Sequence, residues 1–232
     1  MVRQVDLLIL GAGFYGCGFA AASKREPLLL EEEILPGSDF VLSLNPGREY
    51  DAEGLRTEIA REFHARLRAV NAISPDGRLS LAGASEVLAV WCLKRPVELG
   101  VKVLAHDGHR VKAITANGLQ EYEAARIVDA RGGGTEKWLN AMISVPAGLK
   151  EGCHPPFELR SSLVKGEGYL SLKIPTKATW QEARQLFYRA WDSRPEPLKG
   201  STLMLLATRF DYRRFANPLA AMDAGALEGG AR

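Results

Sequence analysis

A glycine-rich turn near the N-terminus constrains this chain more than any other feature. Residues 5–10 form an apolar run of strand length, which leads directly into Gly11-Ala12-Gly13-Phe14-Tyr15-Gly16, a G-x-G-x-x-G motif. An Ala-rich stretch follows, and a second apolar run at residues 27–30 is closed by three glutamates, residues 31–33. This order of strand, glycine turn, helix, strand and acid predicts a dinucleotide-binding site.

Each position of the turn has a mechanical role in such a site. Gly11 permits the tight turn, Gly13 lets the backbone approach a pyrophosphate, and Gly16 lets the helix pack closely on the strand. Ala12 lies between them in the same phosphate-binding turn. The helix N-terminus then offers free N–H groups and a partial positive charge to the phosphates. The alternative is an α/β turn whose glycines serve packing alone.

The acidic residue at the end of the second strand completes the motif. Glu31 directly ends the apolar run, so we expect its carboxylate to accept hydrogen bonds from ribose hydroxyls, and the next two glutamates to face solvent. The interval from Gly11 to Glu31 is slightly short, which predicts a trimmed first helix.

Composition narrows the class of protein. The 232 residues are 46% hydrophobic and 25% charged, typical of a globular protein with one large core or two modest ones. A net charge of +2 argues against nucleic acid as the main partner. No apolar run approaches the roughly 18 residues of a membrane span, and the N-terminus lacks a signal-peptide pattern. We therefore expect no membrane partner and a cytoplasmic location.

The cysteines predict neither a disulfide framework nor a metal site. Cys17, Cys92 and Cys153 are odd in number and far apart, and none belongs to a C-x-x-C motif. Cys17 lies just inside the first helix, where the helix dipole would lower its pKa. The favoured alternative is a small buried residue against the sheet.

The segment after the glutamates combines loop and helix signals. Residues 40–44 predict a short strand or a segment lining a pocket. Apolar residues recur with helical spacing over residues 52–71, and Asp51 is placed to cap that helix. A second helix is predicted over residues 84–98, ended by Gly100.

From Gly100 the apolar pattern alternates with a period of two. Strands are predicted at residues 101–104, 111–115 and 119–122, joined by Asp-Gly and Asn-Gly turns, which together form a three-stranded meander. The meander leads into an apolar strand at residues 125–132, which ends Asp129-Ala130-Arg131-Gly132.

This order of motifs over residues 4–134 resembles the two-dinucleotide-binding-domain flavoproteins, a broad group of FAD-dependent oxidoreductases. In that family a β-meander replaces the last crossover helix, and the following strand ends in a similar Asp-Ala-Arg-Gly sequence. The resemblance implies an α/β, Rossmann-like FAD-binding domain with a parallel sheet. It implies that the FAD pyrophosphate is held by Gly11, Gly13 and Gly16, and the adenosine ribose by Glu31. It also implies that the backbone of Val111 flanks the adenine, and that the turn beside the phosphates is formed by Asp129, Ala130 and Gly132.

For two residues of this second turn, a purely structural role is an alternative to a role in binding. Asp129 is also suited to stabilise the turn through its own side chain. Arg131 either meets phosphate or substrate, or is an ordinary surface arginine.

The C-terminal residues predict a small α+β module. Residues 168–175 alternate like a strand, and the apolar residues 203–207 predict another strand. Between them, Thr179-Trp180-Gln181-Glu182 is a capping box that opens a helix. The aromatic residues of this helix form its core face or, alternatively, a wall facing the flavin; they are Trp180, Phe187, Tyr188 and Trp191. The predicted division is an FAD-binding domain at 1–150, a substrate or lid module at 151–215 and a tail at 216–232.

The tail resembles the segment that returns to the FAD domain in flavoproteins, which implies that Asp223 and Gly225 lie near the cofactor. A frayed Ala/Gly terminus is the alternative. No set of catalytic residues is evident. His154, held between Cys153 and a Pro-Pro pair, is the best acid–base candidate.

The leading functional hypothesis is an FAD-dependent oxidoreductase that transfers hydride between a small organic substrate and the flavin. One alternative is a non-catalytic or partner-dependent flavoprotein-like subunit. Another is an NAD-dependent dehydrogenase, because Glu31 would repel the 2′-phosphate of NADP. Assembly as a homo-oligomer or with a partner subunit stays open.

Overall fold

Two β-sheets organise the residues that the computed structural model describes, which are 2–48, 50 and 52–231. The strands are β1 (Val2–Leu10), β2 (Pro27–Leu30), β3 (Val97–Glu98), β4 (Lys102–His106), β5 (Arg110–Thr115), β6 (Gly118–Asp129), β7 (Trp138–Ser144), β8 (Gly152–His154), β9 (Phe157–Ser161), β10 (Glu167–Lys173) and β11 (Leu203–Leu206). The helices are α1 (Phe14–Ala22), α2 (Ser38–Val41), α3 (Glu58–Ala69), α4 (Leu81–Cys92), α5 (Trp180–Asp192) and α6 (Pro218–Gly230).

The first sheet combines parallel and antiparallel strands in the order β3-β2-β1-β6-β5-β4. β3, β2, β1 and β6 are parallel, and β5 and β4 are antiparallel additions. The mixed α/β class expected from the sequence is therefore confirmed. The third strand of the predicted meander and the strand predicted at residues 125–132 are one continuous strand, β6, because no turn residue interrupts the chain after Tyr122.

The centre of this sheet is buried on both faces. Residues 7–10 of β1 are completely buried. Leu7 and Ile9 belong to the larger apolar cluster, with the helices, whereas Leu8 and Leu10 belong to a smaller one with residues of the meander. The alternation follows from the two-residue period of a strand, and it explains why β1 is apolar throughout.

The segment after β2 differs from the sequence prediction. Residues 40–44 were expected to form a short strand or a segment lining a pocket. They include the end of a helical turn, α2, so the prediction of a strand here is wrong. Phe40 is buried and packs edge-on against Phe14, with ring centroids 5.6 Å apart. This aromatic contact holds α2 against the start of α1.

Both predicted middle helices are shorter than their apolar patterns suggested. The first begins at Glu58 with Thr57 as its cap, since the Thr57 hydroxyl accepts the Ala60 N–H at 3.3 Å. Asp51, the predicted cap, lies outside the described residues. The second ends at Cys92.

The residues at the end of the second predicted helix, Val97–Glu98, form β3 instead. They pair in parallel with Leu29 and Leu30 of β2. Edge pairing with an existing strand thus overrides the helical spacing of this segment.

The second sheet is antiparallel, with the order β11-β7-β10-β9-β8. β7 precedes residue 150, so the predicted boundary cuts this sheet. β10, β11 and α5 were predicted, and the capping box of α5 is present, with Thr179 and Glu182 bonding reciprocally. Phe187 and Trp191 of α5 are buried, in agreement with a core face, whereas Tyr188 is exposed.

The C-terminal helix α6 packs along α1 through small residues. A Cβ on Gly18 would overlap the Met222 carbonyl, and a Cβ on Gly229 would overlap the Phe19 carbonyl. Glycine at these positions lets the two backbones touch. Within the described residues, no helix has both the length and the apolar character needed to cross a membrane.

Candidate functional site

The glycine turn between β1 and α1 lies at the carboxyl ends of the parallel strands. Gly11 has a φ of +102°, and its N–H bonds the Leu30 carbonyl at 2.7 Å. A Cβ on Gly16 would overlap the Gly11 carbonyl, so the turn closes only with glycine there. Gly13 is the N-cap of α1 and has no side chain with which to cap the helix. The free N–H groups of the helix therefore face this edge of the sheet.

Glu31 lies beside the turn, as its place at the end of β2 predicted. Its carboxylate accepts the Ala12 N–H at 2.7 Å and the Glu33 N–H at 3.1 Å. The Ser38 hydroxyl donates to it at 3.0 Å. Burial raises the pKa of Glu31, and the hydrogen bonds from Glu33 and Ala12 oppose that rise. The acid thus ties the turn to the start of α2.

Asp39 of α2 lies directly on the turn, a position that the sequence did not suggest. A Cβ placed on Gly13 would lie 2.6 Å from Asp39 Oδ2. Asp39 Oδ1 is buried and has no hydrogen-bond partner. Burial, followed by the nearby Glu31 carboxylate, raises the pKa of Asp39 to about 7, although the Phe14 and Phe40 N–H groups lower it.

Arg209, which follows β11, covers the same place from the other side. Its Nη1 donates to the Ser38 hydroxyl at 2.7 Å and lies 3.8 Å from Glu31 Oε1. The cavity left between Arg209 and the glycine turn is about 20 Å³. Such a space holds about one water molecule.

A dinucleotide therefore fits this site in its chemistry but not in its present volume. The tight turn, the N-terminus of α1 and the Glu31 carboxylate are the groups that a pyrophosphate and a ribose require. The Asp39 carboxylate and the Arg209 side chain fill the space in front of them. Both side chains must move before a dinucleotide enters.

The second predicted turn borders the same cavity. Ala130, Arg131 and Gly132 all line it. Asp129 Oδ1 accepts the Arg131 N–H at 3.0 Å, and the Arg131 guanidinium returns to the carboxylate at 2.8 Å. Burial raises the pKa of Asp129, but these bonds outweigh burial and lower it. Asp129 thus stabilises the turn through its own side chain, which is the structural alternative considered from the sequence.

The remaining predicted contacts do not line this cavity. Val111 is buried in the smaller apolar cluster of the first sheet. Gly225 faces the backbone of α1, where a Cβ would overlap the Tyr15 carbonyl. Asp223 is buried and accepts the N–H groups of Arg56 and Thr57 at 3.1 and 2.8 Å.

His154 is also separate from the glycine turn. It ends β8, the edge strand of the second sheet, and its Nε2 lies 2.8 Å from the Lys150 carbonyl oxygen. This local contact gives no catalytic geometry.

Cys17 is buried, in agreement with the favoured alternative. Its Sγ lies 3.5 Å from Cys92 Sγ. The contact with Cys92 and burial raise the pKa of the Cys17 thiol, which is the opposite of what helix-dipole activation would give.

A wide cleft of about 910 Å³ lies between the loop after α2, the turn before α4 and strands β8 and β9. Arg160 lines it, and its guanidinium donates to the Gly47 carbonyl at 3.1 Å. Burial and the nearby Arg48 lower the pKa of Arg160 to about 10. Glu158 bonds Arg48 and lies 3.0 Å from Arg213. The charges lining the cleft are therefore largely paired.

No protein-family model and no curated protein matches the chain. Solved structures do match. BexE, studied for oxidation during BE-7585A biosynthesis, gives a TM-score of 0.60 at 14% identity, over 97% of this chain and 60% of BexE. The p-nitrophenol 4-monooxygenase PnpA from Pseudomonas putida DLL-E4 gives a TM-score of 0.55 at 12% identity, over 98% of this chain and 78% of PnpA. CabE, an aromatic hydroxylase from angucycline biosynthesis, gives a TM-score of 0.55 at 14% identity, over 88% of this chain and 51% of CabE.

The chain shares its fold with these solved structures, which include a monooxygenase and an aromatic hydroxylase. The resemblance noted in the sequence is thereby confirmed at the level of the fold. The chain spans 60% of BexE and 51% of CabE. At identities this low, the structural similarity establishes only the architecture. The ligand and the reaction have to be argued from the site itself.

Asp39 predicts a distinctive pH dependence of stability. Its pKa rises from 3.8 to about 7 on folding. The folded chain therefore binds this proton more tightly, and the stability that it contributes below pH 4 is lost as the pH rises towards 7. The loss corresponds to about 4 kcal/mol.

Asp39→Asn removes this loss. We expect the free energy of unfolding of this variant to exceed that of the parent increasingly between pH 4 and 7, in urea titrations at each pH. Asp6→Asn, at an exposed carboxylate paired with Arg25, is the control and should show no such divergence. Parallel curves for Asp39→Asn and the parent would show that the carboxyl titrates normally.

Proposed function

We propose that this chain is an FAD-dependent oxidoreductase acting on a small organic molecule. The observation that carries the proposal is the glycine turn at β1–α1 with the Glu31 carboxylate held against it by the Ala12 N–H. It occurs in a fold shared with a monooxygenase and an aromatic hydroxylase. Bound FAD would supply two-electron chemistry, taking hydride from the substrate.

The residues of this chain would bind and orient the cofactor. The N-terminus of α1 would hold the pyrophosphate and Glu31 the adenosine ribose. The second turn, at Ala130 and Gly132, borders the same cavity. FAD is favoured over NAD because the β4–β6 meander and the Asp-Ala-Arg-Gly turn accompany the glycine motif.

The wide cleft is the proposed substrate site. Its volume of about 910 Å³ lies within the range of small-molecule pockets. The second sheet, in this proposal, is the substrate module. The Arg48 N–H bonds the Ala216 carbonyl at 2.7 Å, so the cleft borders the start of α6.

A second candidate is a subunit that binds FAD only with a partner, or not at all. The filled cavity in front of the turn favours it, because Asp39 and Arg209 occupy the place that the phosphates need. A partner that displaces both side chains would complete the site.

Equilibrium binding of FAD, FMN and NAD⁺ to the purified chain tests these alternatives. We expect FAD to bind and FMN not to bind, since the turn and Glu31 recognise the adenosine half that FMN lacks. Quenching of flavin fluorescence and the visible flavin spectrum report binding of FAD and FMN, and calorimetry reports binding of NAD⁺. Binding of NAD⁺ but not FAD would favour a dehydrogenase. No binding of any of the three would refute the first candidate.

A further inference from the structure

The Asp39 carboxylate lies where a phosphate ligand would lie. Its Oδ2 is against Gly13, the residue whose missing side chain opens the turn to a pyrophosphate. Its Oδ1 is buried without a partner. Gly13 is the N-cap of α1, so this carboxylate lies at the end of the helix where the first N–H groups have no intrahelical acceptor. A helix N-terminus with its backbone open to an anion thus already holds an internal one.

We propose that Asp39 is an internal substitute for the ligand's phosphate, which must leave the N-terminus of α1 before a nucleotide diphosphate group binds. A carboxylate and a pyrophosphate cannot share the same donors, because they occupy the same volume and repel each other. Asp39 therefore sets how tightly the site holds its ligand. The inference rests on the proposed function only for the identity of FAD as the ligand.

The movement required is a side-chain rotation rather than a rearrangement of the backbone. The Gly37 N–H bonds the Ala12 carbonyl at 2.9 Å, and Phe40 packs on Phe14. These contacts fix α2 on both sides of Asp39. Asp39 also lines a second cavity of about 50 Å³ next to the turn, which it shares with Tyr15. That cavity gives the carboxylate a place to turn into.

The surrounding charges determine when Asp39 leaves. The titratable groups nearest Asp39 are Glu31, directly after β2, Arg209 from the segment after β11 and the Cys17 thiol from α1. Arg131 and Tyr15 line the two cavities that Asp39 borders. Glu31 disfavours the ionised carboxylate and Arg209 favours it. An arriving diphosphate adds negative charge, so the neutral form of Asp39 is the one compatible with binding. Affinity should consequently rise as the pH falls.

Binding of ADP, the part common to FAD and NAD⁺, is the direct test. Dissociation constants for ADP and FAD are measured by calorimetry at pH 6 and pH 8, for the parent, Asp39→Asn, Asp39→Ser and the control Asp6→Asn. At pH 8 we expect both Asp39 variants to bind ADP about tenfold or more tightly than the parent. At pH 6 the difference should shrink. Asp6→Asn should match the parent.

The outcomes separate this inference from the proposed function. Tighter ADP binding by the Asp39 variants, with no FAD binding by any protein, supports the inference and refutes the FAD assignment. Equal FAD affinities in the parent and both variants at pH 8 overturn the inference and leave the FAD assignment intact. Failure of every protein to bind either ligand overturns both.

Discussion

Gly225→Ala is expected to destabilise the chain by about 3 kcal/mol, at the upper end of the cost of overpacking. The added Cβ would overlap the carbonyl oxygen of Tyr15 and crowd the Phe19 N–H of α1. These are backbone atoms and cannot rotate away, so α6 has to move off α1. That displacement also opens the close contact between Gly229 and Phe19. The gain in helix propensity, about 1 kcal/mol, does not compensate.

Gly230→Ala is the matched control in the same helix. A Cβ on Gly230 would lie 3.8 Å from the Ala22 side chain, which is ordinary van der Waals contact. We expect this variant to match the parent or to exceed its stability by less than about 1 kcal/mol. Urea unfolding followed by circular dichroism measures both variants. Equal midpoints for the two would show that α6 does not pack on α1 through Gly225.

The parts of the site that follow local rules could be predicted from the sequence. A glycine turn after an apolar strand and an acid at the end of the next strand depend on neighbours in the chain. Gly11, Gly16 and Glu31 therefore lie where expected. Asp39 and Arg209 could not be predicted, because their positions depend on how α2 and the segment after β11 fold back over the turn. In the sequence, Asp39 is only an acidic residue after Gly37-Ser38 in a predicted loop, and nothing there indicates that it contacts the glycine turn.

Similar reasons explain which strands were missed. β7 is largely buried, so its residues do not alternate between apolar and polar as those of a half-exposed strand would. β9 is short and begins directly after two prolines. β10, which lies between β7 and β9, was predicted from its alternating pattern. Strand partners that lie far apart in the chain leave little trace in a local sequence pattern.

Asp223→Ala is expected to cost about 3 kcal/mol, because Asp223 joins α6 to the start of α3. Its buried carboxylate accepts the Thr57 N–H and the Thr57 hydroxyl, each at 2.8 Å, and the Arg56 N–H at 3.1 Å. Truncation leaves these donors without a charged acceptor, and hydrogen bonds to charged groups contribute about 1.5–3 kcal/mol each. The sequence resemblance placed Asp223 near the cofactor, whereas these contacts give it a structural role.

The pH dependence of stability provides an independent check on this role of the Asp223 carboxylate. Burial raises the pKa of Asp223, but the hydrogen bonds from Thr57 and Arg56 outweigh burial and lower it. Its contribution to stability is therefore present at neutral pH and is lost as the pH falls through the lowered pKa. The difference in unfolding free energy between the parent and Asp223→Ala should consequently narrow in acid, in urea titrations at each pH. A difference independent of pH would mean that the lost packing of the side chain, rather than its charge, destabilises the variant.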